Sequence, residues 1–153
     1  MVATPAMPSM TDAQVAAVKG DWEKIKGSGV EILYFFLNKF PGNYPMFKKF
    51  AGQDLAAAKG TAEFKDQADK IIAFLGGVMD KLGSDLAGAK ALLNQLGTSH
   101  RAMGITKEQF DQFRQALTEL LGNLGFGGNI GAWNATVDLM FHVIFNQLDG
   151  TPV

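Results

Sequence analysis

The sequence predicts an all-α fold, and three observations carry that expectation. Apolar residues recur at steps of three and four over long stretches, as in Phe64, Ala68, Ile71, Ile72, Leu75, Val78, Met79 and Leu82, the spacing that lines one face of an α-helix. No stretch alternates apolar and polar residues between hairpin turns, as a half-buried strand would. The 18 glycines concentrate between the periodic segments, for example at Gly42, Gly52, Gly60, Gly83 and Gly104 and in the run GNLGFGGNIG at 122–131, where they mark loops and helix ends.

The elements follow in order. Residues 1–10, MVATPAMPSM, lack both a charged start and a continuous apolar stretch, so they read as a flexible lead-in rather than a secretory signal. A single domain is expected over 11–150. Thr11 with Gln14 matches a capping box, in which a hydroxyl and an amide satisfy backbone N–H groups at a helix start. A first helix over 11–26 follows, and a second over 29–40 stops at Pro41. Proline suits the first position of a helix, so a short helical turn follows it. Further helices are expected at 61–82 and 84–101. Thr106 with Gln109 repeats the capping box and opens a helix over 106–121, and the last helix, 131–148, follows the glycine run.

Composition excludes several classes of function. At 153 residues the chain can bury about 68–70% of its unfolded surface without staples. Cysteine is absent, which removes disulfides and thiolate metal sites together. Net charge is −1, from 14 Lys and Arg against 15 Asp and Glu, and no basic cluster exceeds Lys48-Lys49. Nucleic acid is therefore not an expected partner. The longest apolar run, ILYFFL at 32–37, is far short of the roughly 20 residues that span a bilayer, so no membrane partner is expected either.

Two polar side chains fall on apolar faces. Gln67 lies three residues after Phe64 and four before Ile71, and His100 continues the series Leu86, Ala89, Leu93, Leu96. A buried carboxamide or imidazole without a partner costs about 1–3 kcal/mol, so each needs a backbone partner or a polar ligand. Two consecutive antiparallel helices joined by LGSD bring the pair face to face across a gap. One histidine cannot close a protein-only metal site, because structural zinc takes four ligands and catalytic zinc about three. It can supply the axial ligand of a metal already held by a macrocycle, which suggests haem. The chain's other histidine, His142, lies off the stripe Trp133, Val137, Phe141, Ile144 and Leu148, beside Asp138; it reads as a solvated residue.

An ordered series of residues resembles the globins, most closely the haemoglobins of midge larvae. It comprises Trp22, Gly29, Pro41, Phe47, KGTAEFKDQADKIIAFL at 59–75, SHRAMGIT at 99–106 and GAWNATVDLMFHVIF at 131–145. The resemblance spans about 12–148 and implies a globin fold of about six to eight helices around a pocket for haem b (iron protoporphyrin IX). It places His100 as the proximal iron ligand with its second ring nitrogen on a carbonyl, Leu96 beneath the haem, and Phe47 on the haem face. Gln67 takes the distal position, where many globins carry histidine; its N–H can donate to bound dioxygen, and it does not titrate. Leu33, Phe50, Ile71, Met103, Ile105 and Phe113 are expected as pocket wall, with Lys70 and Arg101 reaching the propionates. Gly29 and Ala68 are expected where the second and fifth globin helices cross closely. From Gln67 to His100 the chain advances 33 residues, about one turn more than is usual in the family, which leaves the conformation of 83–92 open.

The function so implied is reversible binding, transport or storage of dioxygen, with other small diatomic ligands as alternatives at the same site. No enzyme activity is expected. The resemblance further implies extracellular haemolymph and a monomer or weak homodimer. A haem oxidoreductase acting on peroxide or nitric oxide is the enzymatic alternative, yet peroxide cleavage benefits from a distal acid–base that neither Gln67 nor Leu33 supplies. A haem-free helical domain, with Gln67 and His100 as structural polar residues, is the third reading.

Overall fold

Thr11 begins the first element as the sequence requires. Its hydroxyl accepts the Gln14 N–H at 3.1 Å, while the Gln14 carboxamide oxygen accepts the Thr11 N–H at 2.9 Å, and α1 runs Asp12–Ile25. The structure, a computed structural model, describes residues 7–153. After α1 come α2 (Gly29–Lys39), a 3₁₀ turn at Pro41–Met46, the one-turn α3 (Leu55–Ala58) and α4 (Ala62–Lys81). Then follow α5 (Leu86–Ala102), α6 (Lys107–Asn123), a second 3₁₀ turn at Gly127–Asn129, and α7 (Ile130–Leu148). No strand occurs among the described residues. Six of these helices fall within two residues of their expected bounds; α3 and the second 3₁₀ turn lie in stretches read as loops.

Side-chain caps open four helices. Thr106 and Gln109 form the second capping box at the start of α6, Thr61 caps α4 through Phe64 N–H, and the Asp85 carboxylate accepts Gly88 N–H at 2.9 Å. Such caps are worth about 1 kcal/mol each. At its other end α5 closes with Gly104 at φ +76. The Ile105 N–H returns to His100 O at 3.0 Å and the Gly104 N–H to Arg101 O at 3.0 Å, a closure that needs a left-handed residue and so favours glycine. The last turn of the helix bearing His100 is thereby fixed.

The core divides in two. The larger part packs α1 (Val18, Trp22, Ile25), α4 (Leu75, Val78, Met79), α5 (Leu93) and α7 (Trp133, Val137, Ile144). A smaller part gathers Leu33 and Leu37 of α2, Phe50, Phe64 and Ala68 of α4, and Ala116 of α6. Each fully buried aliphatic or aromatic side chain contributes about 1.5–3 kcal/mol.

Close crossings rest on glycine. A Cβ at Gly29 would stand 2.7 Å from Ile72 Cγ1 and 3.2 Å from Ala68 O, so α2 crosses α4 where the sequence places small residues. Gly97 plays the same part between α5 and α7, with Gln147 Cβ 2.7 Å from the missing methyl position. Buried Asp21 ties α1 to the chain's last third: its carboxylate accepts Trp133 Nε1–H at 3.0 Å and Asn129 Nδ2–H at 3.0 Å.

Residues 1–6 of the expected lead-in lie outside the described residues, and Met7 and Met10 pack against the larger core. Two expectations change. Leu86 is exposed rather than part of the buried stripe of α5, because it is the first residue of the helix. Asp138 does not pair with His142. Its carboxylate takes Arg114 at 2.8 Å, and the guanidinium also lies over the Phe141 ring; no ion pair among the described residues involves the half-buried His142.

Candidate functional site

Pro41 ends α2, and the 3₁₀ turn it opens carries the chain across the end of the bundle before α3. This detour leaves a cavity of about 720 Å³ between the 3₁₀ turn and its following loop, α4, the end of α5 and the start of α6. Its size lies within the roughly 300–1,000 Å³ of cofactor and small-molecule sites. Gln67 from α4 and His100 from α5 border the same cavity.

His100 is held from two sides. Its Nδ1 lies 2.8 Å from Leu96 O, and Ser99 Oγ, which donates to that same carbonyl at 3.0 Å, stands 3.4 Å away. A carbonyl oxygen can only accept, so in the neutral ring Nδ1 carries the proton and Nε2 keeps its lone pair. Phe110 of α6 packs against the imidazole with ring centroids 5.3 Å apart. Phe110 in turn meets Phe141 and Phe145 edge-on at 5.9 and 6.1 Å, so a wall of aromatic rings backs the histidine.

The opposite side is aromatic too. Phe47 and Phe50 stack at 5.7 Å with an interplanar angle of 11°, and Phe50 rests on Phe64 at 5.1 Å. Tyr44 OH holds this loop from outside through Phe50 O at 2.8 Å and Gln53 O at 2.7 Å. Loss of water around that hydroxyl, and then the Asp54 carboxylate, push its pKa above the ordinary phenol value.

A polar relay closes the remaining wall. Gln109 Nε2–H donates to Asn43 Oδ1 at 3.0 Å, and Asn43 Nδ2–H donates to Gln112 Oε1 at 2.8 Å. Because Gln109 Oε1 also caps Thr106 N–H, the relay joins the 3₁₀ turn to the loop that follows His100.

The expected site residues sort into three groups. Phe47, Phe50, Gln67, His100, Met103 and Ile105 border the cavity together. Leu33 is fully buried one layer behind, in the smaller core, and Phe113 packs edge-on against Phe36 at 5.3 Å rather than bordering the cavity. Ile71 sits between the two cores, and Leu96 contributes its carbonyl. Arg101 lies outside the cavity wall, its guanidinium against Gly150 beyond α7, because the side chain after His100 points about 100° further round the helix. Lys70 is exposed and outside the cavity wall. The basic residues on the wall are instead Lys48 and Lys49, a pair visible in the sequence but read there only as a small charge cluster.

Phe36, Asn43, Gln109 and Phe110 also border the cavity and were not read from the sequence. Phe110 carried the one available signal, since it shares a helical face with Phe113 and Leu117. These side chains fit a flat, mostly apolar cofactor with an anionic edge. They offer aromatic walls, one imidazole with a free lone pair, and two lysines. Among the described residues no group of three or more His, Asp or Glu could hold a bare metal ion.

A family model described as Globin matches residues 30–144. The chain belongs to the globin family. It is 92% identical over 152 residues to Globin CTT-IIIA of Chironomus thummi thummi, across 99% of this chain and 100% of that one. With Globin CTT-X of the same organism it shares 37% over 149 residues, 95% and 99% of the two chains. Among solved structures, a hemoglobin component (TA-VII) from Tokunagayusurika akamusi has a TM-score of 0.88 at 30% identity, covering 94% of this globin and 99% of that chain. The likeness to midge larval haemoglobins therefore stands. As a globin the protein takes a haem cofactor and binds oxygen, and it is a carrier rather than an enzyme. No helix among the described residues is long and apolar enough to cross a membrane.

Proposed function

We propose that this globin binds dioxygen reversibly, for transport or storage, on haem b ligated by His100, with Gln67 as the hydrogen-bond donor on the opposite side. The observation that carries the reading is that His100, its Nδ1 committed to Leu96 O at 2.8 Å, borders the same cavity as Gln67. When bound, ferrous haem supplies the centre at which a diatomic ligand attaches and leaves.

The chain's own groups do the rest. The Leu96 carbonyl fixes the tautomer and ring plane of His100 and raises the basicity of Nε2. The Gln67 carboxamide donates an N–H to a ligand that carries partial negative charge. Phe47, Phe50, Ile105 and Met103 exclude water from the site, with Leu33, Ile71 and Phe113 as the layer that holds them, and exclusion of water suppresses oxidation of ferrous haem. Lys48 and Lys49, which border the cavity, would hold the anionic edge of the cofactor, while Lys70 and Arg101 would contribute only a screened attraction from outside the wall. A single domain over 11–150, the haemolymph as location and a monomer or weak homodimer as assembly complete the proposal, supported by the likeness to Chironomus globins.

Absorption spectroscopy tests it. Haemin added to the purified protein should give an intense Soret band, with deoxy and oxy forms that interconvert. His100→Gly should lose that spectrum and regain it with free imidazole. A variant spectrally identical to the parent would remove His100 as the ligand.

A further inference from the structure

With no cysteine in the chain, its sulfur chemistry belongs to methionine alone. Among the described residues the methionines divide sharply by exposure. Met79 and Met140 lie in the larger core at 3% and 7% exposure, and Met7 and Met10 are half-buried against it. Met46 and Met103 are 43% and 57% exposed, and both border the cofactor cavity. They reach it from different elements: Met46 ends the 3₁₀ turn, and Met103 follows the last turn of α5, three residues after His100. The other exposed large apolar residues, Leu86 and Leu124, lie away from the cavity. Among the described residues, each large apolar side chain that is both exposed and on the cavity is therefore a thioether, a group that an oxidant can turn polar and a reductase can restore.

We infer that Met46 and Met103 form a peroxide-sensitive rim whose conversion to sulfoxide loosens the cofactor. The oxidant is hydrogen peroxide. A sulfur lone pair attacks one peroxide oxygen, an S–O bond forms as the O–O bond breaks, and the departing hydroxide takes the remaining proton to leave as water. Sulfur is oxidised by two electrons and the peroxide is reduced. Each sulfoxide turns an apolar contact of the rim into a polar oxygen and draws water toward it. Burial protects Met79 and Met140, so modification concentrates at the rim.

The inference rests on the proposed haem site, and its test separates the two. Holoprotein is treated with hydrogen peroxide at low molar ratios. Sulfoxide is then mapped by peptide mass spectrometry, and haem release is timed by transfer to an excess of an apoglobin acceptor. Met46 and Met103 should be modified before Met79 and Met140, and release should quicken by about two- to tenfold, the range set by loss of thioether contacts. A Met46→Leu, Met103→Leu variant, each sample compared with itself before treatment, should show no peroxide-dependent quickening; such volume-conserving swaps are usually tolerated. Met103→Gln should release haem faster without peroxide.

Equal oxidation of rim and core methionines, or a modified rim with unchanged release, overturns the inference while leaving the His100 site standing. Failure to take up haemin at all removes both.

Discussion

His100 Nδ1 and the carbonyl oxygen of Leu96 stand 2.8 Å apart, one helical turn from each other along α5. The same residue's own carbonyl receives Ile105 N–H at 3.0 Å, so His100 is pinned through both its ring and its backbone. Any change that shifts α5 along its axis moves the imidazole with it, because the reference points for ring and backbone lie on the same helix.

Gly97, inside that turn, gives the first prediction. A methyl there would meet Gln147 Cβ at 2.7 Å and Cγ at 2.9 Å, with Ile144 O at 3.3 Å behind. Overpacking of this kind costs about 1–3 kcal/mol, against up to about 1 kcal/mol gained by replacing a helical glycine. Gly97→Ala should lower stability in urea denaturation and quicken haem loss. Gly20→Ala, in α1 with nothing within 4 Å of the new methyl, should raise stability by about 0.5–1 kcal/mol. Equal effects from the two would show that the α5–α7 crossing tolerates a side chain.

Asp21 supplies the second. Its removal leaves the buried Trp133 Nε1–H and Asn129 amide without their acceptor, a loss of about 1–3 kcal/mol. Asp21→Ala should shift the urea midpoint downward by that amount and change Trp133 fluorescence in the native state. Asp21→Asn, which keeps one acceptor oxygen, should recover part of the loss.

Much of this architecture was legible because local chemistry decides it. Both capping boxes, the break at Pro41, the stripe of α4 and the small residues at the α2–α4 crossing depend on neighbours within one helix or on residue size. What escaped depends on depth and azimuth. Phe110 and Phe113 share a face of α6, yet Phe110 meets His100 while Phe113 meets Phe36. Which turn of a helix reaches a cavity is set by how far the helix slides against its neighbours, and no periodicity records that. Lys48 and Lys49 were missed for the same reason, since the loop over 47–50 brings basic groups to the cavity that helical spacing could not foretell. Asn43 carries no pattern of its own; its significance lies in Gln109, 66 residues away.

Alkaline pH should loosen the loop over the cavity. Tyr44 has its folded pKa raised, by loss of water and then by Asp54. A raised value means that the folded state holds the proton more tightly than the unfolded chain does. Its contribution to stability is therefore fully present below the ordinary phenol value of about 10 and is lost as pH climbs through the higher folded value. Deprotonation removes the donor to Phe50 O and Gln53 O. Absorbance titration of tyrosinate in the parent and in Tyr44→Phe should assign to Tyr44 a step above the ordinary phenol value. A Tyr44 step at that ordinary value would mean that the hydroxyl is not held.

Gln67 yields the prediction most directly tied to function. Replacing it with leucine removes an N–H donor while keeping a side chain of similar length, so ligands that gather negative charge should suffer and neutral ones should not. A hydrogen bond to a partly charged acceptor is worth about 1.5–3 kcal/mol, which corresponds to a roughly 10- to 150-fold faster dioxygen dissociation. Carbon monoxide, which accepts little charge, should dissociate nearly unchanged. Stopped-flow displacement of the two gases from parent and Gln67→Leu separates a polar role from a steric one. Equal acceleration of both would assign Gln67 to shape alone, and no change in either would place the donor elsewhere in the cavity wall.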